Sequence, residues 1–179
     1  MKKQISIGSA ILSVLVGLTL AARDKYTVNV PNGLAFSEFK GYEDWQVVAV
    51  SQTESQNVIR VILGNPLTIN AYRKGIPGNG KPFPDGSRIA KILWKPNTIV
   101  EAPFSPSAPD VVSGVPDAVE LIVKDTRRFP DTHGWGYAKF NYDAAAATFK
   151  PFGTGASCGA TCHSPAAKND FVFTEYSRR

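Results

Sequence analysis

The chain contains one methionine, two cysteines and two histidines among its 179 residues. The methionine is Met1, so no thioether ligand for a metal is left once an N-terminal leader is removed. Long hydrophobic runs are scarce too, because the most apolar stretch, residues 11–20, is shorter than the roughly 20 residues that span a bilayer. Basic runs interleaved with aromatic residues are absent, which argues against nucleic acid as a partner.

The N-terminal segment has the order of a secretory leader. Lys2 and Lys3 precede the apolar stretch, and small residues follow it before the charged Arg23. This order predicts a signal peptide over residues 1–22 and an exported, periplasmic domain over residues 23–179, with no membrane span after cleavage. The alternative is an uncleaved membrane anchor. Cleavage lowers the formal net charge from +5 to +3, which describes a mildly basic protein.

Thirteen prolines and fifteen glycines divide the remaining chain into short segments. β-branched and aromatic runs between these breaks predict strands at residues 46–51, 58–63, 88–94 and 119–123. Short helices are predicted at residues 67–74, 125–129 and 143–148, and loops at 77–80, 84–86 and 105–109. The expected fold is a single β-rich α+β domain with a mostly antiparallel sheet and short helices.

The two cysteines lie close together near the C-terminus, and a histidine follows the second one. Cys158, Cys162 and His163 resemble the Cys-x-x-Cys-His signature, in which both thiols add to haem vinyl groups and the imidazole reaches the iron. The sequence therefore predicts a C-terminal attachment segment for haem c, with His163 as the iron ligand. Three residues, 159–161, separate the cysteines instead of two. On a helix the extra residue adds about 1.5 Å and about 100° of rotation, so some local unwinding is expected.

Two other interpretations of the cysteine pair remain open from the residues alone. Cys158 and Cys162 could form a disulfide in an oxidising compartment, or bind zinc together with His133 and carboxylates. His133 is also the only other imidazole that could ligate the iron, although an exposed loop histidine is the commoner outcome. With no methionine ligand, we expect a five-coordinate iron whose open face binds or transforms a small molecule.

Three of the predicted strands each carry one ionisable residue in an apolar row. Arg60, Lys91 and Glu120 have apolar neighbours two positions away on both sides, and alternate residues of a strand share a face. The intervening residues are apolar as well, so we expect these charges to be buried. Buried charges need either a salt bridge, of Glu120 with Arg60 or Lys91, or a polar cavity. The remaining alternative is a charge at the edge of the sheet whose long side chain reaches solvent. We favour a polar pocket at the haem, in which Lys91 is nucleophilic and Glu120 relays protons.

Several segments together resemble the cytochrome P-460 family, periplasmic c-type cytochromes in which a lysine is cross-linked to the haem. The segments that carry the resemblance are residues 60–66, 83–91, 119–125, 134–137 and 162–174. The resemblance implies that Lys91 is the cross-linking lysine. It also implies that Arg60 and Glu120 are the distal arginine and the proton-transferring glutamate.

The resemblance further implies a homodimer, built on an antiparallel sheet, that oxidises hydroxylamine to nitric oxide or nitrous oxide and passes electrons to an unidentified acceptor. The alternative is the related cytochrome c′-beta group, which shares the fold, lacks the cross-link and binds nitric oxide or carbon monoxide without turnover. The polar residues Arg60, Lys91 and Glu120 favour the enzyme. The chain departs from the family pattern in the gap between the cysteines and in residues 76–81, which resemble an insertion.

Overall fold

The computed structural model describes residues 24–31, 33–53, 57–99, 110–153, 155 and 157–176. The predicted signal peptide and the predicted loop at residues 105–109 lie outside the described residues. Within the described part of the chain, no helix is long and apolar enough to cross a membrane.

A six-stranded antiparallel sheet organises the domain, and its strands follow one another in chain order. The strands are β1 (Gln46–Thr53), β2 (Val58–Gly64), β3 (Arg88–Ile99), β4 (Asp110–Lys124), β5 (Trp135–Asp143) and β6 (Thr148–Phe152). The α-helices are α1 (Pro66–Arg73) and α2 (Ser157–His163), and 3-10 turns lie at Lys25–Thr27, Phe36–Phe39, Tyr42–Asp44, Pro130–Thr132 and Ser164–Asn169. The predicted β-rich α+β fold with an antiparallel sheet is confirmed.

The four predicted strands are present, and the two central ones are longer than predicted. β3 continues past Pro96 and β4 contains Pro116, which the prediction placed before its first residue. Proline lacks the N–H that a sheet ladder needs, so it is usually confined to edges and bulges. Here the register between β3 and β4 shifts on both sides of Trp94, and these irregularities accommodate the prolines.

Two predicted helices are wrong. Residues 125–129 form a turn, and residues 143–148 contain the end of β5, a turn at 144–147 and the start of β6. In each segment the first residue, Asp125 or Asp143, accepts hydrogen bonds from the backbone N–H groups two and three residues further on. Such local bonds compete with helix formation, so an aspartate at this place favours a turn.

Helix α1 confirms the third helix prediction and connects to the C-terminal segment. The Asn65 side chain accepts a hydrogen bond of 3.0 Å from the N–H of Thr68, and Pro66 occupies the first turn. Both are favourable at a helix start. Tyr72 near the end of α1 donates a hydrogen bond of 2.8 Å to the carbonyl of Thr174. The helix therefore holds the chain segment that follows α2.

Different parts of the chain cover the two faces of the sheet. One face packs against the N-terminal segment, in which Phe36 and Phe39 are fully buried. The other face packs against α1, α2 and the C-terminal segment, and its core contains Phe83, Trp135 and Val172. Because side chains alternate along a strand, each central strand contributes to both cores. The functional residues lie on the second face.

Candidate haem site

A cavity of about 430 Å³ lies between the second face of the sheet and the C-terminal segment. Strands β2 to β6 contribute one part of its lining, and Gly159, Cys162 and His163 of α2 contribute another. Residues 172–174 complete the wall. The volume is within the range of small-molecule and cofactor sites, which is about 300–1,000 Å³.

Helix α2 contains both cysteine positions and the histidine. Residues Ser157–His163 are α-helical and are followed directly by the 3-10 turn Ser164–Asn169. The local unwinding expected from the longer spacing is therefore not observed within the motif. Positions 158 and 162 are four apart, a spacing that places two residues on the same face of a helix.

The thiol of Cys162 is free and exposed, and it lines the cavity. The structure therefore gives no support for the disulfide interpretation of the cysteine pair. No group of three or more His, Cys, Asp or Glu side chains suited to a metal ion occurs among the residues that the structure describes. The zinc interpretation therefore has no support there.

The imidazole of His163 is half-buried and oriented by the chain that follows it. Its Nδ1 lies 2.7 Å from the carbonyl oxygen of Phe171, and an Nδ1–H that donates this bond leaves Nε2 as a free lone pair. Metal-binding histidines commonly donate their second ring N–H to a carbonyl in this way. Burial lowers the pKa of His163, although the bond to Phe171 opposes this effect, so the ring stays neutral and able to bind a metal.

Two aromatic rings contact the imidazole of His163. The ring centres of Tyr137 and Phe173 lie 4.9 Å and 5.2 Å from the centre of the His163 ring. The hydroxyl of Tyr137 is buried and has no hydrogen-bond partner among the described residues. Burial raises the pKa of Tyr137, so the hydroxyl remains a donor that can serve a polar group of a bound cofactor.

Gly159 determines how closely α2 approaches the sheet. A Cβ atom at this position would lie 2.3 Å from a ring carbon of Tyr137 on β5, which is closer than atoms can pack. Only glycine therefore allows this helix to lie against β5 and bring His163 to the cavity. A close helix approach beside a free thiol and an oriented imidazole fits covalent attachment of haem c.

We expect Gly159→Ala to displace α2 and lower stability by about 1–3 kcal/mol, because overpacking forces the Tyr137 ring or the helix to move. Carbon monoxide binding to the ferrous protein is expected to change as well, because His163 moves with the helix. The matched control is Gly78→Ala, since the nearest atom to its new Cβ is 3.5 Å away, an ordinary contact. Thermal unfolding and carbon monoxide titration provide the test, and equal behaviour of both variants would contradict the packing argument.

Three charged side chains form one row across the sheet. The register places Lys91 of β3 opposite Glu120 of β4, and Glu120 opposite Lys139 of β5. The Glu120 carboxylate pairs with the ammonium of Lys91, and its other oxygen lies 3.5 Å from the Nζ atom of Lys139. All three residues line the cavity that contains His163. The salt bridge between Glu120 and Lys91 is one of the two pairings that the sequence left open.

Arg60 lies in a second cavity next to the first. This cavity has a volume of about 410 Å³, and Arg60 lines it together with the charged row. In the register between β2 and β3, Arg60 pairs with Leu93 and Ile62 pairs with Lys91. Arg60 is therefore one step along the same face of the sheet from the Ile62–Lys91 pair. Lys91, Glu120 and Lys139 line both cavities and so form the wall between them.

The three sequence-predicted charges are only partly buried. The side chains of Lys91 and Glu120 are 33% and 27% exposed, and Arg60 is also intermediate in exposure. The two cavities reach these residues and provide polar surroundings. The alternation in the sequence therefore showed which residues share a face of each strand, but it did not show how far the charged side chains are exposed.

His133 lies away from the cavity that contains His163. Its ring stacks on Phe171, with ring centres 4.2 Å apart, and it is not among the residues that line either cavity. The position has a left-handed backbone with φ of 58° in the turn before β5. The structure therefore gives no support for His133 as a second axial ligand.

Sequence reasoning missed Lys139 and Tyr137. Both belong to β5, in which Trp135, Tyr137 and Lys139 alternate with smaller or apolar residues. This period-2 pattern could have identified the strand and the shared face of the three side chains. The pairing of Lys139 with Glu120 depends on the register between two strands, which a single strand does not specify.

A helix that carries two cysteine positions and an oriented histidine beside a cofactor-sized cavity defines a c-type haem protein. Its haem is covalently attached. A family model described as cytochrome P-460 matches residues 39–174, about three quarters of the chain. The chain belongs to the cytochrome P-460 family. A search of curated proteins gives no match.

Proposed function

We propose that this protein is a periplasmic mono-haem c-type cytochrome that oxidises hydroxylamine to nitric oxide or nitrous oxide. The observation that carries the proposal is the Glu120 carboxylate, placed between Lys91 and Lys139 in the wall of the His163 cavity. Bound haem supplies the oxidation by accepting electrons and passing them to an acceptor outside the protein. The residues of the chain hold the haem, shape the site and move protons.

Attachment is assigned to the C-terminal motif. Cys158 and Cys162 supply the thiols, and His163 supplies the iron ligand through Nε2. The bond from His163 to Phe171 and the close approach at Gly159 hold this ligand in position. Lys91 is assigned as the lysine that is cross-linked to the haem, because it faces the cavity from β3 at the position that the family resemblance implies.

Proton transfer is assigned to Glu120. Oxidation of hydroxylamine releases protons as well as electrons, so the site needs an acceptor close to the substrate. The Glu120 carboxylate meets this need from the wall that both cavities share, with Lys139 holding the oxygen that Lys91 does not contact. Arg60 faces the second cavity and contributes a fixed positive charge that helps to position substrate.

A second candidate function rests on the apolar part of the lining. Ile62, Ile89 and Ile122 face the His163 cavity, and such surroundings suit an uncharged diatomic gas. The protein would then resemble cytochrome c′-beta and bind nitric oxide or carbon monoxide without turnover. In either case we propose an exported homodimer, in line with the leader-like N-terminus and the family.

The test is steady-state kinetics with the haem-loaded protein, hydroxylamine and a chemical electron acceptor. The enzyme assignment predicts hydroxylamine-dependent reduction of the acceptor, together with nitric oxide or nitrous oxide as product. Binding of nitric oxide without any consumption of hydroxylamine would contradict the assignment and support the gas-binding alternative.

A further inference from the structure

A buried ion pair involves the residue before Phe171, whose carbonyl contacts His163, and neither member of the pair lines the two cavities. The Nζ atom of Lys124 is 2.8 Å from an Asp170 carboxylate oxygen, and the two side chains are only 4% and 11% exposed. Lys124 also donates a hydrogen bond of 3.0 Å to the carbonyl of His133. The second Asp170 oxygen accepts a bond of 2.8 Å from the N–H of Phe83. Buried charges are costly unless they are paired in this way, so removal of either partner leaves an uncompensated charge.

Asp170 fixes the start of the segment that contacts His163. The next residue, Phe171, supplies the carbonyl oxygen that lies 2.7 Å from His163 Nδ1. Asp170 and Phe171 both have left-handed backbones, with φ of 49° and 62°. Non-glycine residues keep this conformation only where surrounding contacts enforce it. The contacts of Asp170 with Lys124 and Phe83 provide that enforcement.

We propose that Lys124 and Asp170 are positioning residues for the iron ligand. The pair connects the end of β4 to the turn at residues 170–171, and the turn presents the Phe171 carbonyl to His163. The strength of this hydrogen bond determines how basic the imidazole is and how well it stabilises the ferric iron. The inference rests on the proposed role of His163 as the iron ligand.

Removal of the pair has a predictable effect on the redox equilibrium of the haem. When the turn relaxes, the bond from His163 to Phe171 lengthens and the imidazole becomes a weaker donor. The ferric form then loses stabilisation relative to the ferrous form. We expect the equilibrium ratio of ferrous to ferric protein at a fixed potential to rise about tenfold, which is the lower end of the range for outer-shell partners of metal ligands. For a one-electron couple this equals a rise of about 59 mV.

The test compares Asp170→Asn with a matched carboxylate replacement elsewhere, in haem-loaded protein. Glu38→Gln is the control, because Glu38 also pairs with a cation, Arg128, and accepts a backbone N–H, that of Ala35. Spectroelectrochemical titration measures the potential, and thermal unfolding measures stability. Both variants are expected to lose stability, but only Asp170→Asn raises the potential.

Lys124→Met breaks the same pair from β4 and serves as the second variant if Asp170→Asn does not fold. It is expected to raise the potential in the same direction, whereas Lys124→Arg keeps the cation and restores the parent value. An unchanged potential in Asp170→Asn or Lys124→Met, alongside reduced thermal stability, would show that the pair is only structural. This readout is independent of turnover, so a protein that fails to oxidise hydroxylamine still tests the inference.

Discussion

Replacement of Glu120 by glutamine is expected to lower the rate of hydroxylamine oxidation by about 10²–10⁴-fold, the usual contribution of a positioned general base. Glutamine has nearly the same size as glutamate, but its amide cannot accept the protons that leave the substrate. The carboxylate it replaces lies between Lys91 and Lys139 at the boundary of the two cavities. The measurement is the steady-state rate with an excess of acceptor.

The control for this variant is Asp143→Asn. Asp143 is also a carboxylate that pairs with a lysine, Lys150, but it is the last residue of β5, next to the turn that leads to β6. It lines neither cavity, so the rate is expected to stay at the parent value. If Glu120→Gln oxidised hydroxylamine as fast as the parent while its haem spectrum was unchanged, the proton-transfer role would be wrong.

Replacement of His163 by glycine is expected to remove the protein ligand of the iron while both thiol attachments remain. The change leaves a space between Tyr137 and Phe173 with the dimensions of an imidazole ring. We expect hydroxylamine oxidation to fall by at least about 100-fold, because loss of a ligand exceeds the effect of losing its outer-shell partner. Added imidazole is expected to restore the parent spectrum and part of the rate.

His133→Gly is the matched control for the ligand variant. It removes the only other imidazole at a backbone position with positive φ, which glycine accepts readily. The spectrum that reports iron ligation is expected to match that of the parent. If His133→Gly changed the iron ligation and His163→Gly did not, the assignment of the axial ligand would be reversed.

The site could be predicted from the sequence wherever it depends on local spacing. The cysteine positions and His163 form one short motif, and that motif lies on one helix. Alternation along single strands indicated that Arg60, Lys91 and Glu120 each share a face with apolar neighbours of their own strand. The register between strands was not predictable, so the sequence could not show that Arg60 lies opposite Leu93 in the adjacent cavity.

The errors in secondary structure have a local physical cause. Residues 143–148 contain four consecutive alanines, which have the highest helix propensity, but the segment is too short to nucleate a helix alone. The Asp143 side chain instead bonds the backbone of a turn. Lys124 and Asp170 were missed for another reason, since they lie 46 positions apart in the chain and only tertiary packing brings them together.

A cross-link from Lys91 to the haem is the feature that distinguishes the proposed enzyme from the gas-binding alternative. The mass of the haem peptide, measured together with the absorption spectrum of the ferrous protein, tests that assignment most directly. We predict a haem joined to Cys158, Cys162 and Lys91, with a strongly red-shifted Soret band that Lys91→Met abolishes. A haem joined only to the two cysteines, with an ordinary c-type spectrum, would contradict the account.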